Sequence, residues 1–242
     1  MTHDISSYKT WNAPYTLLFW IILLLISQIP VIGLSVAFFF LNPELVSPDV
    51  ANTLSQNGLF VSLATLLETP LILILGFLFI RLKKIPTKTY LGLESFTIKQ
   101  LLYSLLTIII FVVVLSFVMH QLGLNHGYEW FKSIWLSSSS KALLCFVVIF
   151  IAPLNEEFIY RGVLFTGLQQ SKLGPIGAII ITAALWAIIH VQYQLVDIGV
   201  VFLGGLLLGY ARHRTRSLYI PFIMHFTWNT LVTIIFLFRI YS

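Results

Sequence analysis

Seven stretches of this chain are apolar for long enough to cross the hydrocarbon core of a bilayer, which takes about 20 helical residues, and this repetition limits the fold more than any other feature. They run near Tyr15 to Phe40, Asn57 to Ile80, Leu101 to Gln121, Ala142 to Phe165, Gly174 to Val191, Leu195 to Tyr210 and Leu218 to Phe238. In lipid, each segment must satisfy its own backbone N–H and C=O groups. The expected fold class is therefore all-α, a polytopic transmembrane helix bundle of about seven spans. An eighth arises if Leu122 to Lys141 is a broken crossing; its rings Tyr128, Trp130, Phe131 and Trp135 suit equally a helix lying at headgroup depth. The first run is longer than a signal-peptide core and has no convincing cleavage site, so it reads as a permanent anchor.

Composition removes the other classes. Only 10% of the 242 residues are charged and 58% are hydrophobic, against about 25% charged in a soluble domain. Too little polar surface exists for a cytosolic enzyme, a nucleic-acid reader or a disordered scaffold. The expected partner on this ground is a lipid bilayer, with no nucleic acid. Cys145 is the single cysteine, which excludes a disulfide framework and a cysteine metal cluster.

Lys and Arg resist translocation and stay cytoplasmic, so their distribution orients the chain. With the N-terminus inside, the inner segments hold Lys9, Arg81, Lys83, Lys84, Lys88, Lys99, Lys172, Arg212, Arg214 and Arg216. The outer segments hold Lys132, Lys141 and Arg239, and Arg161 lies within a span. The formal charge of +5 is read as this bias. The expectation is a multi-pass protein of a prokaryotic cell membrane. Residues 1–14 are then a cytoplasmic N-terminal segment, 15–140 the N-terminal helices and loops, and 141–242 a helical core that carries the chemistry.

An ionisable side chain at bilayer depth costs about 2.5 to 3.5 kcal/mol on insertion scales, so each one asks for a partner or a task. The fourth span contains Pro153-Leu-Asn-Glu-Glu-Phe-Ile-Tyr-Arg161. Glu157 and Arg161 are i and i+4, the spacing at which opposite charges meet on one helix face. Glu156 lies about 100° away around the helix and faces something else. Its own i+4 neighbour is Tyr160, and a hydrogen bond between the two would make the cluster merely structural. The fifth span ends in Trp186-Ala-Ile-Ile-His190 and the seventh holds His225-Phe-Thr-Trp-Asn229. A carboxylate, two imidazoles and an amide on separate apolar helices supply a general base, proton carriers and an oxyanion donor. They equally supply ligands for zinc, which takes His nitrogen and Glu oxygen and keeps one position for water.

The ordered pattern Glu-Glu-x-x-x-Arg, aromatic-x-x-x-His and His-x-x-x-Asn, each in its own hydrophobic segment, resembles the CAAX protease and bacteriocin-processing family of intramembrane proteases, relatives of the type II CAAX prenyl endopeptidase. The resemblance covers roughly Lys141 to Phe238. It implies that Glu156 is the catalytic glutamate, that Glu157 and Arg161 support it, and that His190, His225 and Asn229 complete the site. The second motif usually begins with Phe, whereas here it is Trp186. The function implied is hydrolysis of a peptide bond of a peptide or protein substrate, at or below the cytoplasmic membrane face, by water activated with or without a metal. In one version Glu156, His190 and His225 hold zinc. In the other no cofactor is required: Glu156 and His190 activate water while His225 and Asn229 stabilise the oxyanion. The chain has neither His-Glu-x-x-His nor Gly-x-Ser-x-Gly, so the commonest zinc-protease and serine-hydrolase signatures are missing. A different class, a non-catalytic bacteriocin-immunity or abortive-infection protein, would use the same cluster to bind a partner.

One conflict is visible in the sequence itself. Counted from the inner ends, Glu156 and His225 fall about 10 to 15 Å deep, while a straight fifth helix carries His190 to the outer surface. Convergence in one cavity requires that helix to stop early, with Val191 to Leu195 as irregular backbone, or the span limits to shift. Elsewhere, Glu68 precedes Pro70 by two residues and caps a kink or faces the cavity. Gly205 and Gly209 form a Gly-x-x-x-Gly pair suited to close helix packing.

Overall fold

The computed structural model describes residues 5, 8–41, 43, 49–124 and 126–241. Part of the expected N-terminal segment, residues 1–4, 6 and 7, lies outside them. The described residues are helical throughout their ordered elements: α1 (Ala13–Leu41), α2 (Val50–Ser55), α3 (Gly58–Arg81), α4 (Thr87–Leu91), α5 (Ile98–Gln121), α6 (His126–Ser137), α7 (Lys141–Gln169), α8 (Gly174–Ile188), α9 (Leu195–Thr215) and α10 (Tyr219–Tyr241). Six of these, α1, α3, α5, α7, α9 and α10, are long and apolar enough to cross a membrane, and α8 is a shorter apolar helix. The chain is an integral, multi-pass helical bundle of roughly seven spans.

Local signals set the ends. Asn57 accepts from Phe60 N at the start of α3 and Ser140 accepts from Leu143 N at the start of α7. Thr97 and Gln100 form a reciprocal capping box at the start of α5. Each satisfies donors that the first turn of a helix leaves unpaired. Gly92, at φ 65°, ends α4 in the left-handed conformation that glycine adopts without steric cost.

α6 does not cross. Its twelve residues reach about 18 Å at 1.5 Å per residue, well short of a hydrocarbon core. It is tied to the start of α3: Trp130 Nε1 donates to Ser55 O at 3.2 Å, and Ser137 Oγ accepts from Gly58 N at 2.9 Å while donating to Gln56 O at 2.8 Å.

α7 is the axis of the bundle. Residues 157–168 are buried without interruption, so neighbours surround that stretch of the helix on every side. α1 and α5 form the outer wall, with Leu25, Phe40, Tyr103 and Phe117 among the large apolar side chains left facing outward. Such exposure is unfavourable in water and neutral in lipid, which is why a bilayer completes the fold.

α7 is also irregular. Val147–Ile151 and Phe158–Leu164 are wide, π-helical turns that flank the Glu156-Glu157 pair. The first follows from Pro153. In a π turn the carbonyl of Val148 would accept from the N–H of residue 153, and proline has none. Asn229 on α10 fills the gap, its Nδ2 donating to Val148 O at 2.8 Å.

Candidate active site

Glu156 projects from the middle of α7 into one surrounding, and Glu157 with Arg161 into another. Glu157 and Arg161 form the expected i, i+4 pair, Arg161 Nη1 donating to Glu157 Oε1 at 2.9 Å with both side chains essentially fully buried. Arg161 Nη2 also donates to Gly205 O on α9 at 3.1 Å, and the guanidinium stands 4.7 Å from the centre of the Trp186 ring. One cation thus ties α7, α8 and α9 together. Glu157 Oε1 further engages His225 Nδ1 on α10 at 2.9 Å. Because a carboxylate only accepts, that imidazole nitrogen carries the proton and Nε2 is left bare in the neutral ring.

His225 Nε2 points at Glu156, whose Oε2 is 3.8 Å away. The Glu156 side chain is 22% exposed, against 1% for Glu157. Its firmest partner is Trp186, whose Nε1 donates to Oε2 at 2.5 Å. Tyr160, the alternative partner on the same helix, turns away towards α1 and accepts from Trp20 Nε1 at 3.3 Å. The expected structural use of Tyr160 is therefore not the one seen: its phenol bridges α7 to α1.

α8 resolves the conflict over depth. Its fifteen residues span about 22 Å and stop at Ile188, so the helix is shorter than a full crossing. Residues 189–194 then turn back before α9 begins, the irregular backbone that convergence required. His190 sits in that turn. Its Nδ1 donates to Trp186 O at 2.7 Å, and its ring stacks on Tyr193 at 5.6 Å. Burial, followed by the negative charge of Glu156 and Asp197, pushes the Tyr193 phenol above its ordinary pKa, so it stays a neutral donor. The depth count is corrected at Glu156: it lies thirteen positions before Gln169, the last residue of α7, which is about 20 Å.

Close packing of α8 on α9 holds Trp186 in register with Glu156. A Cβ on Gly205 would lie within about 3 Å of Ala183 and Trp186, and one on Gly209 would touch Ile179. The Gly-x-x-x-Gly pair therefore sits where the two helices meet.

Glu156, Trp186, His190, His225 and Asn229 all line one cavity of about 1050 Å³. Sequence reasoning gave Glu68 only a minor place, yet it lines the same cavity from α3. The neighbouring Thr69 Oγ1 accepts from Asn155 Nδ2 on α7 at 2.7 Å, which fixes α3 against the glutamate pair. The contact of Trp186 with Glu156 and that of Asn229 with Val148 were also not foreseen. The only advance signal for the latter was Pro153, a missing donor in mid-helix.

Among the described residues, no three His, Cys, Asp or Glu side chains come together as a metal-ligand set. Glu156 and His225 face each other, while His225 Nδ1 is held by Glu157 and His190 Nδ1 by the Trp186 carbonyl. In this arrangement Glu156, His190 and His225 do not converge as a set of three, and the reaction is derived from the side chains alone.

Comparison with known proteins bears on the same part of the chain. Residues 138–231 match the family model described as type II CAAX prenyl endopeptidase Rce1-like. An Escherichia coli protein described as an uncharacterized 24.3 kDa protein is 37% identical over 93 residues, 37% of this chain and 42% of that protein. The alignment thus spans less than half of either molecule. No solved structure matches the chain. The matched segment runs from the turn before α7 into α10 and contains all three motifs, and over residues 138–231 the chain is similar to the Rce1-like family, consistent with the CAAX protease and bacteriocin-processing family.

Proposed function

We propose that the chain is an intramembrane endopeptidase in which Glu156 activates water against a peptide carbonyl. The observation that carries this reading is the unequal treatment of two adjacent glutamates. Glu157 is committed to Arg161 and His225. Glu156 has no cation of its own among the described residues and opens on a cavity large enough for a peptide segment. A carboxylate in such a place is retained at a cost, and proton abstraction gives it a use.

In the proposed reaction, Glu156 takes a proton as water oxygen bonds to the scissile carbonyl carbon. The C–N bond then breaks, and the proton passes to the departing amine. Trp186 Nε1 orients the carboxylate. His225, fixed through Nδ1 by Glu157, presents Nε2 to Glu156 and relays the proton. His190 holds the equivalent bare nitrogen at the mouth. Asn229 spends one amide N–H on Val148 O, and its second is the donor available to a developing oxyanion. Glu157 and Arg161 position this array without touching the substrate.

The test is a comparison of peptide termini in membranes from cells expressing the parent chain or Glu156→Gln at matched levels. New termini present with the parent and absent with the variant are expected. An identical set of termini, with any protective phenotype kept by Glu156→Gln, would overturn the enzyme in favour of an immunity-type binding protein.

A further inference from the structure

The cavity is lined mainly from one end of the bundle, and the chain's charges say which side of the membrane that end faces. Its lining residues on α3 run from Phe60 to Glu68, on α7 from Val147 to Glu156, and on α10 from His225 to Arg239. The α3 and α7 sets lie between the start of each helix and about its middle, and the α10 set runs on to the far end of its helix. On α3 no lining residue lies beyond Glu68 towards Arg81 and on α7 none beyond Glu156 towards Gln169, whereas on α10 the lining begins at His225, six residues from Tyr219.

The end towards Arg81 and Gln169 is closely packed. Below Glu156, α7 is buried continuously from Glu157 to Leu168. Arg212 Nε donates to Arg161 O at 3.0 Å and its Nη2 to Leu91 O at 3.2 Å, locking α9 and α4 across the base of the site. Tyr90 and Leu91 of α4 are themselves buried there. Ten of the fourteen Lys and Arg residues lie at this end, and three lie at the opposite one. Cations within a short distance of membrane helices mark the cytoplasmic side.

We propose that the mouth of the cavity faces away from the cytoplasm. Its substrate would then be a peptide segment arriving from the outer side: a secreted peptide, or the outer juxtamembrane stretch of a membrane protein. This replaces the sequence-level expectation of cleavage at the cytoplasmic face. The substrate part rests on the peptidase reading above, whereas the orientation does not.

The test uses the full-length chain in sealed right-side-out membrane vesicles, with Cys145→Ser as background. Gln192→Cys places a thiol at the mouth, and Lys172→Cys places one in the basic connection between α7 and α8; both positions are exposed. With a membrane-impermeant maleimide, Gln192→Cys should label at least about tenfold faster than Lys172→Cys, and permeabilisation should remove the difference. Preferential labelling of Lys172→Cys, or equal labelling in sealed vesicles, overturns the orientation. A soluble peptide library added outside the same vesicles separates the two layers of the argument. Cleavage by the parent and not by Glu156→Gln supports external access, and cleavage only after permeabilisation overturns it. Labelling at Gln192→Cys with no cleavage in either condition leaves the orientation standing and removes the peptidase, and with it the proposed substrate.

Discussion

Arg161→Met is the most informative structural perturbation. The native guanidinium is fully buried and has three neighbours: Glu157 Oε1 at 2.9 Å, Gly205 O at 3.1 Å and the Trp186 ring at 4.7 Å. Methionine fills similar space but leaves the Glu157 carboxylate without its cation, and Glu157 Oε2 already has no hydrogen-bond partner among the described residues. Removing one partner of a buried ion pair costs about 3 to 5 kcal/mol, and the orphaned Gly205 carbonyl places the expected loss in the upper part of that range. Glu157→Gln alone strands the arginine and should cost a comparable amount. The double variant carries no unpaired charge, so its loss should fall short of the sum of the singles by about 2 kcal/mol or more. Arg161→Lys should lie between parent and Arg161→Met, because a single ammonium cannot bridge Glu157 and Gly205 as the planar fork does. Reversible unfolding of the purified protein in mixed micelles, followed by tryptophan fluorescence, reads all four. Additive single losses, or an Arg161→Met protein within about 1 kcal/mol of the parent, would refute the assignment of Arg161 as the tie between α7, α8 and α9.

Two further predictions use the same measurement. A Cβ at Gly204 would fall inside contact distance of the Trp228 ring, so Gly204→Ala should destabilise by about 1 to 3 kcal/mol through overpacking. Gly199→Ala on the same helix meets open space and should be neutral or stabilising by up to about 1 kcal/mol. Asn229→Ala should cost about 1 to 3 kcal/mol by stranding Val148 O, and Asn229→Ser should recover less than half of it, its hydroxyl being too short to reach.

Much of the fold was legible because a bilayer dictates segment length. The limits read for α3 and α5 lie within three residues of those observed, since an apolar run has to match the hydrocarbon thickness. The pairing of Glu157 with Arg161 was legible for an equally local reason, helical periodicity on one segment. What escaped was set between segments. The bond from Trp186 to Glu156 depends on how far α8 slides along α7, which is fixed by the approach of Gly205 to Ala183 rather than by anything within Trp186-Ala-Ile-Ile-His190. The π turns around Pro153 need Asn229, 76 residues later, to satisfy the freed carbonyl. The early end of α8 had only the polar residues beyond His190 as a sign.

The central claim is that Glu156, and not simply any carboxylate in the cavity, drives hydrolysis. Glu68 lines the same space from α3 and provides the internal comparison. The direct measurement is the rate of peptide cleavage by purified, liposome-reconstituted protein, comparing the parent, Glu156→Gln and Glu68→Gln at matched folding. Loss of a general base lowers the rate by roughly 10²- to 10⁴-fold, so Glu156→Gln should fall by at least about a hundredfold while Glu68→Gln stays within about tenfold of the parent. A Glu156→Gln protein that cleaves at the parent rate would contradict the account.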